Sequence, residues 1–224
     1  MYLLDGYKLR PPGVPGNFNR GIENQGWIGR PPAAVMVQNA QSTLFEECSF
    51  EHLGSCGIDF LSGTKYDIVK GCVFRDIAGN GLQIGKMSDT GLETHLPYDP
   101  VDDRELCTHQ TISNNLITDV TNEDWGCVAI CAGYVRDINI EYNEISEISY
   151  SGISLGWGWT KTVNTMRNNR VYRNYIHHYA KHMYDVAGVY TLSVQPKTII
   201  TENVVDHIYK PSYVHDPHHW FYLY

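Results

Sequence analysis

Six copies of one short phrase run along the chain, and a repeat of this kind restricts the fold more than any other feature of the sequence. The phrase is Cys or Asn, any residue, an apolar residue, two further residues and a second apolar residue. It occurs as Cys48-x-Phe50-x-x-Leu53, Cys72-x-Phe74-x-x-Ile77, Asn115-x-Ile117-x-x-Val120, Asn143-x-Ile145-x-x-Ile148, Asn174-x-Ile176-x-x-Tyr179 and Asn203-x-Val205-x-x-Ile208. The copies start 24, 43, 28, 31 and 29 residues apart, and treating residues 87–106 as an insertion brings the long interval into line. Alternating apolar residues precede each copy, as in Ile138-x-Ile140. A glycine usually follows and opens another apolar run, at Gly57-Ile58, Gly81-Leu82, Gly126-Cys127-Val128, Gly152-Ile153 and Gly188-Val189. Three short strands per copy follow from this period of two.

A unit of about 23 to 30 residues without a helix cannot bury its apolar face alone, so the copies must stack. The expected fold is all-β: a right-handed parallel β-helix, a solenoid of about six coils with three short strands each. A leucine-rich repeat would show a dense Leu ladder, and a propeller would need longer four-stranded units. Residues 1–33 read as an irregular N-terminal segment and residues 34–224 as the β-helix domain. The closing Trp220-Phe221-Tyr222-Leu223-Tyr224 reads as an unfinished strand, so the chain is expected to be a piece of a longer one.

Successive coils of such a solenoid lie ~4.8 Å apart, so equivalent positions form ladders along its axis. Cys48, Cys72, Asn115, Asn143, Asn174 and Asn203 should then form one column. Its amides would bond the coils above and below, and Asn tolerates the left-handed backbone that a tight turn needs. For Cys48 and Cys72 a disulfide and a pair of stacked thiols both fit, the thiols being the plainer account.

Composition narrows the function. With 224 residues, 42% hydrophobic and 19% charged, the chain should fold around a substantial core. Its 17 basic and 25 acidic residues give a net charge of −8, which disfavours nucleic acid and anionic membrane as partners. No apolar run is long enough for a membrane-inserted helix, and the first residues lack the pattern of a secretory signal. The six cysteines include no CxxC pair, so no zinc site is expected. In His215-Asp216-Pro217-His218-His219 a metal cluster and a solvated loop compete, and the loop is preferred because no short ligand motif is matched.

The Asn-turn phrase and the segment Tyr150-Ser151-Gly152-Ile153-Ser154-Leu155-Gly156-Trp157-Gly158-Trp159 carry a resemblance. So do Asp185-Val186-Ala187-Gly188-Val189-Tyr190-Thr191-Leu192 and Gln195-Pro196-Lys197-Thr198. Together they resemble the parallel β-helix proteins of the pectate-lyase-like superfamily, and most of all the glycoside hydrolase family 141 type of bacterial polysaccharide-degrading protein. The likeness runs from about Ala34 to the end. Val186, Ala187 and Lys197 stand where that pattern has glycine, which predicts a different loop shape there.

The resemblance implies a polysaccharide or oligosaccharide partner, an extracellular or periplasmic location, and a groove lined by the glycine-led strands. It directs attention to Asp185, and the coil positions to Asp124, as the paired carboxylates that glycoside hydrolysis needs, the alternative for the second acid being an Asp-Glu-Gly segment that the family pattern carries after the strand equivalent to Trp220–Tyr224. A turn Asp bonding its own backbone is the alternative for each, and for Asp124 the stronger one. Amphipathic rings that could stack on sugars are Trp157, Trp159, Tyr150, Tyr190, Trp125 and Trp220. One of Trp157 and Trp159 should pack inward and the other face the groove. His177, His178 and His182 could serve a leaving group or sit as plain surface residues. The insertion carries Asp89, Glu93, Asp99, Asp102, Asp103 and Glu105; ordinary solvation explains them, while calcium held there would suit a polysaccharide lyase. The hydrolase reading itself implies no cofactor, and a non-catalytic glycan-binding or structural β-helix remains a third possibility.

Overall fold

In a computed structural model, which describes residues 30–87, 97–212 and 219–224, the repeat becomes three parallel sheets wound into a β-helix. The long sheet joins β1 (Ala33–Gln38), β4 (Cys56–Ser62), β7 (Leu82–Ile84), β11 (Ile130–Ala132), β15 (Ile153–Leu155), β18 (Val186–Thr191) and β21 (Trp220–Leu223). A second sheet stacks β2 (Leu44–Glu46), β5 (Ile68–Lys70), β9 (Thr111–Ser113), β13 (Asn139–Glu141), β16 (Arg170–Tyr172) and β19 (Ile199–Thr201). The third stacks β3 (Ser49–Leu53), β6 (Val73–Ile77), β10 (Leu116–Val120), β14 (Glu144–Ser146), β17 (Tyr175–Tyr179) and β20 (Val204–Ile208). Two short strands, β8 (Cys107–Thr108) and β12 (Val135–Arg136), pair at a corner next to the insertion.

The pairing registers explain why the phrase has its spacing. In the third sheet Phe50, Phe74, Ile117, Ile145, Ile176 and Val205 lie side by side and point inward. The second apolar residue of each copy, three positions on, also points inward. Between them stands one residue with left-handed backbone: His52, Asp76, Asp119, Glu147, His178 or His207, with φ from 49° to 58°. That residue interrupts the two-residue alternation, so both apolar positions reach the core.

The predicted column forms. Asn143 Oδ1 accepts from the Asn115 backbone N–H at 3.0 Å and from Asn115 Nδ2 at 2.9 Å; its own Nδ2 donates to Ile112 O and Asn174 Oδ1, both at 2.9 Å. The same pattern links Asn174 to Asn203. At the cysteine end, the Cys72 N–H donates to Asn115 Oδ1, and the Cys72 thiol lies 3.5 Å from Phe45 O, in place of the missing amide. All six cysteines are free thiols. Two sequence expectations are corrected. The left-handed residue is the one before the column, namely Glu47, Gly71, Asn114, Tyr142, Arg173 or Glu202, and the ladder Asn residues do not adopt that backbone. Gly126 does not open a strand either. Ala129 occupies the column of Gly57, Gly81, Gly152 and Gly188, where an added Cβ would lie 2.5 to 3.0 Å from the next coil's carbonyl oxygen, so the column admits only very small residues.

Candidate functional site

The residues singled out from the sequence are distributed over the turns that lead into the long sheet, its outer face, the turns that leave it, and the third sheet. The turns leading in are bonded from coil to coil. Ser149 N donates to Thr121 Oγ1 at 2.9 Å and Ser149 Oγ to Thr121 O at 2.7 Å, while the N–H groups of His182 and Met183 both donate to Ser149 O at 3.1 Å. On this ladder lie Asp124 and Trp125 in the first turn, Tyr150 in the second and Asp185 in the third. Asp124 is fixed through its backbone, whose N–H donates to Ala78 O at 2.8 Å and whose carbonyl accepts from Cys127 N–H at 2.8 Å. The half-exposed Trp125 donates from Nε1 to Asn122 O at 3.2 Å, and its ring stacks on His182 at 4.4 Å and 21°. That stack joins the turn carrying Asp124 to the turn carrying Asp185, across the intervening coil.

Asp185 is half-buried, with φ of 56°, at the mouth of β18, and Tyr190 Oη donates to its Oδ1 at 3.2 Å. Burial, with the Asp185 carboxylate adding to it, pushes the Tyr190 phenol far above its ordinary range, so the hydroxyl stays a donor. The Tyr190 ring also stacks on Tyr224 at 4.4 Å. Burial first, and Lys181 second, push the His182 imidazole below its ordinary value, which keeps the ring against Trp125 neutral near pH 7. Nearby, burial of Glu147 is outweighed by bonds from Tyr209 and Lys181, and its carboxyl lies lower than usual.

The outer face of the long sheet is not an open groove floor. Its outward row, Asp59, Gln83, Cys131, Ser154 and Tyr190, is 2%, 0%, 1%, 2% and 4% exposed. Over the first of these lies Arg30, whose Nη2 and Nε donate to the two Asp59 oxygens at 2.5 and 2.6 Å and whose Nη1 donates to Gly85 O at 2.7 Å. Gln83 Nε2 donates to Pro31 O at 2.9 Å, and Met87 Sδ lies 3.4 Å from Cys131 Sγ. The accessible chemistry therefore sits on the wall of turns and not on the strands.

On the opposite wall, Trp157 is 3% exposed and Trp159 is 40% exposed, the first packed inward and the second outward. The two resemblance phrases meet here. Gln195 Nε2 donates to Leu155 O at 2.9 Å, and Ser193 Oγ to Trp157 O at 2.9 Å. Gly156, with φ of 102°, passes so close that an added Cβ would lie 2.4 Å from Leu192 O and 2.6 Å from Gln195 Nε2. Much of the phrase is thus scaffolding for the turn. Lys197 has φ of 62°, like Ser42, Tyr66, His109, Asp137 and Asn168 at the same place in earlier coils, so the bend there does not depend on glycine. Val186 and Ala187 are buried within β18.

Tyr150 is 1% exposed, which leaves no ring face for a ligand in this structure. Trp220 is half-buried at the start of β21, opposite Val186. His177 and His178 lie on the third sheet, away from the carboxylate turns. Their Nδ1 atoms are 2.6 Å apart, with Tyr175 stacked on His177 and His207 on His178. His182, which a surface reading explains equally well, is the one of the three whose ring meets Trp125 of the Asp124 turn, a contact that depends on the stacking of turns two coils apart.

In the insertion, Arg104 bonds both Asp102 oxygens and holds that carboxyl down at about 2. Arg136 donates to Asp103 at 2.7 Å and Lys86 reaches Glu105 at 3.1 Å. Asp89, Glu93 and His215 to His218 lie outside the described residues. Among the described residues no group of three or more His, Cys, Asp or Glu is arranged to hold a metal ion, and no helix is long and apolar enough to cross a membrane.

Among solved structures, the chain is similar to one titled "Glycoside hydrolase", at 67% identity and a TM-score of 0.86, over 88% of this chain and 33% of that one. The chain thus spans about a third of that chain's length. No protein-family model matches, and no curated protein does.

Proposed function

We propose that this β-helix acts on carbohydrate as a glycoside hydrolase of the family 141 type within the pectate-lyase-like superfamily, with Asp185 and Asp124 as its carboxylate pair and a plant or microbial polysaccharide as substrate. The observation that carries the reading is the tie between the two acidic turns. The Trp125–His182 stack and the Thr121–Ser149–His182 bonds set Asp124 and Asp185 on one wall, two coils apart. Two strand spacings put the two turns roughly 9 to 10 Å apart along the axis, which is within reach of the wider separations used by carboxylate pairs in glycoside hydrolysis. High identity to a chain titled as a glycoside hydrolase supports the same reading.

Tyr190 fixes one oxygen of Asp185 and so its orientation. At that spacing a carboxylate held in this way is suited to activate water, while the partner acid protonates the leaving oxygen. Trp125 and Trp159 offer exposed rings for sugar faces, and the enzyme would work outside the cytoplasm, extracellular or periplasmic. Asp102, Asp103 and Glu105 of the insertion engage Arg104, Arg136 and Lys86, which favours hydrolysis over calcium-dependent elimination at those carboxylates. Product analysis on a panel of plant and microbial polysaccharides in the presence of a chelator tests the reaction type. Saturated reducing ends are expected; unsaturated products absorbing near the ultraviolet, or loss of activity on chelation, would replace hydrolysis with elimination.

A further inference from the structure

We infer that His182 is a positioning residue that holds the Trp125 indole as the stacking platform for one pyranose ring of a neutral glycan, between the turns of Asp124 and Asp185. The inference rests on the hydrolase reading for what the carboxylates do, but the binding it describes stands apart from turnover. Trp125 is 47% exposed, so part of its ring is open to a ligand. It is held from two directions: its Nε1 donates to Asn122 O, and one face is covered by the imidazole at 4.4 Å. The main chain that carries the imidazole is in turn fixed by the His182 backbone N–H bond to Ser149 O. A ring immobilised on one face loses little further freedom when a sugar covers the other, which is the condition for productive stacking.

Sequence separation hides this pair, yet the two turns are two coils apart, roughly 9 to 10 Å. The indole reaches toward that second turn and meets His182 there, so a sugar on its open face would lie beside the Asp124 turn. Glu123 and Asp124 directly precede Trp125 and the chain carries a net charge of −8, so an anionic glycan would meet repulsion where a neutral one would not.

The test measures binding by intrinsic fluorescence in an Asp185→Asn background, where turnover does not interfere. Xylohexaose, cellohexaose and mannohexaose are the neutral probes and hexagalacturonate the anionic one. Trp125→Ala and His182→Ala are each expected to weaken the best neutral probe about three- to tenfold, while His182→Phe, which keeps a flat ring, restores binding to within about twofold. In the catalytically intact protein the same His182→Ala change should appear in KM far more than in kcat. Unchanged affinity in His182→Ala, failure of His182→Phe to restore it, preference for the anionic probe, or no binding of any neutral probe would each overturn the inference. Neutral-probe binding with the expected pattern in a protein that hydrolyses nothing would uphold it and remove the hydrolase reading instead.

Discussion

Replacing Asn143 with alanine should be among the most damaging single changes in the molecule, and the loss can be worked from its bonds. Asn143 is 1% exposed and its amide makes four hydrogen bonds, two accepted from Asn115 and two donated to Ile112 O and Asn174 Oδ1. Part of the network survives truncation, because Asn115 Nδ2 still reaches Val69 O and Asn174 Oδ1 still accepts from the Asn143 backbone. What remains orphaned is the Asn115 N–H and one amide hydrogen, both out of reach of water. At ~1–3 kcal/mol for each unsatisfied buried group, the expected loss is about 2–6 kcal/mol. Asn203 occupies the same column but is only half-buried, so water can replace the lost partner and Asn203→Ala should cost about 1 kcal/mol. Urea unfolding followed by far-ultraviolet circular dichroism, compared at unchanged slope, separates the two. Equal losses for both variants, or less than about 1 kcal/mol for Asn143→Ala, would refute the view that the buried ladder is a main support of the coils.

Other changes follow from local geometry. Gly156→Ala drives a methyl group into Leu192 O at a left-handed backbone position and should lower stability by about 1–3 kcal/mol, read as a drop in thermal midpoint. His182 is held neutral in the fold while the unfolded chain takes up a proton below about 6.5, so its contribution is present above that pH and declines as pH falls from there towards the folded value. The thermal midpoint of His182→Phe should therefore fall less between pH 7.5 and 5.5 than that of the wild type; parallel curves would contradict this. Tyr190→Phe removes the hydroxyl that orients Asp185 and should lower kcat about tenfold or more with the fold intact, and unchanged kcat would show that the bond does not matter to catalysis.

The solenoid was legible because its repeat records core geometry directly. Each Asn or Cys of the phrase is a column residue, and each pair of apolar positions brackets a left-handed residue. What the phrase could not reveal was which turn residue bends, since Glu47, Tyr142 and Arg173 carry no propensity for the left-handed region and adopt it because the neighbouring coils require it. Gly126 misled for a related reason: a small residue next to an apolar run looks like the column glycine, yet Ala129 fits the column and the turn before it is simply longer. The site was less legible. Strand alternation does place Asp59, Gln83 and Ser154 on the outer face, but nothing local announces that Arg30 and Pro31 cover part of it, or that Trp125 meets His182. Such contacts depend on coil stacking, which sums the lengths of several turns.

The central claim is that Asp185 belongs to a catalytic carboxylate pair. Steady-state hydrolysis by the wild type and Asp185→Asn, on a polysaccharide that the wild type cleaves, tests it most directly, with circular dichroism to confirm that both are folded. Because the change is isosteric and Asp185 sits half-exposed at a strand mouth, folding should be preserved, and turnover should fall by about 10² to 10⁴. An Asp185→Asn protein that keeps more than about a tenth of wild-type turnover would remove Asp185 from the pair and contradict the account.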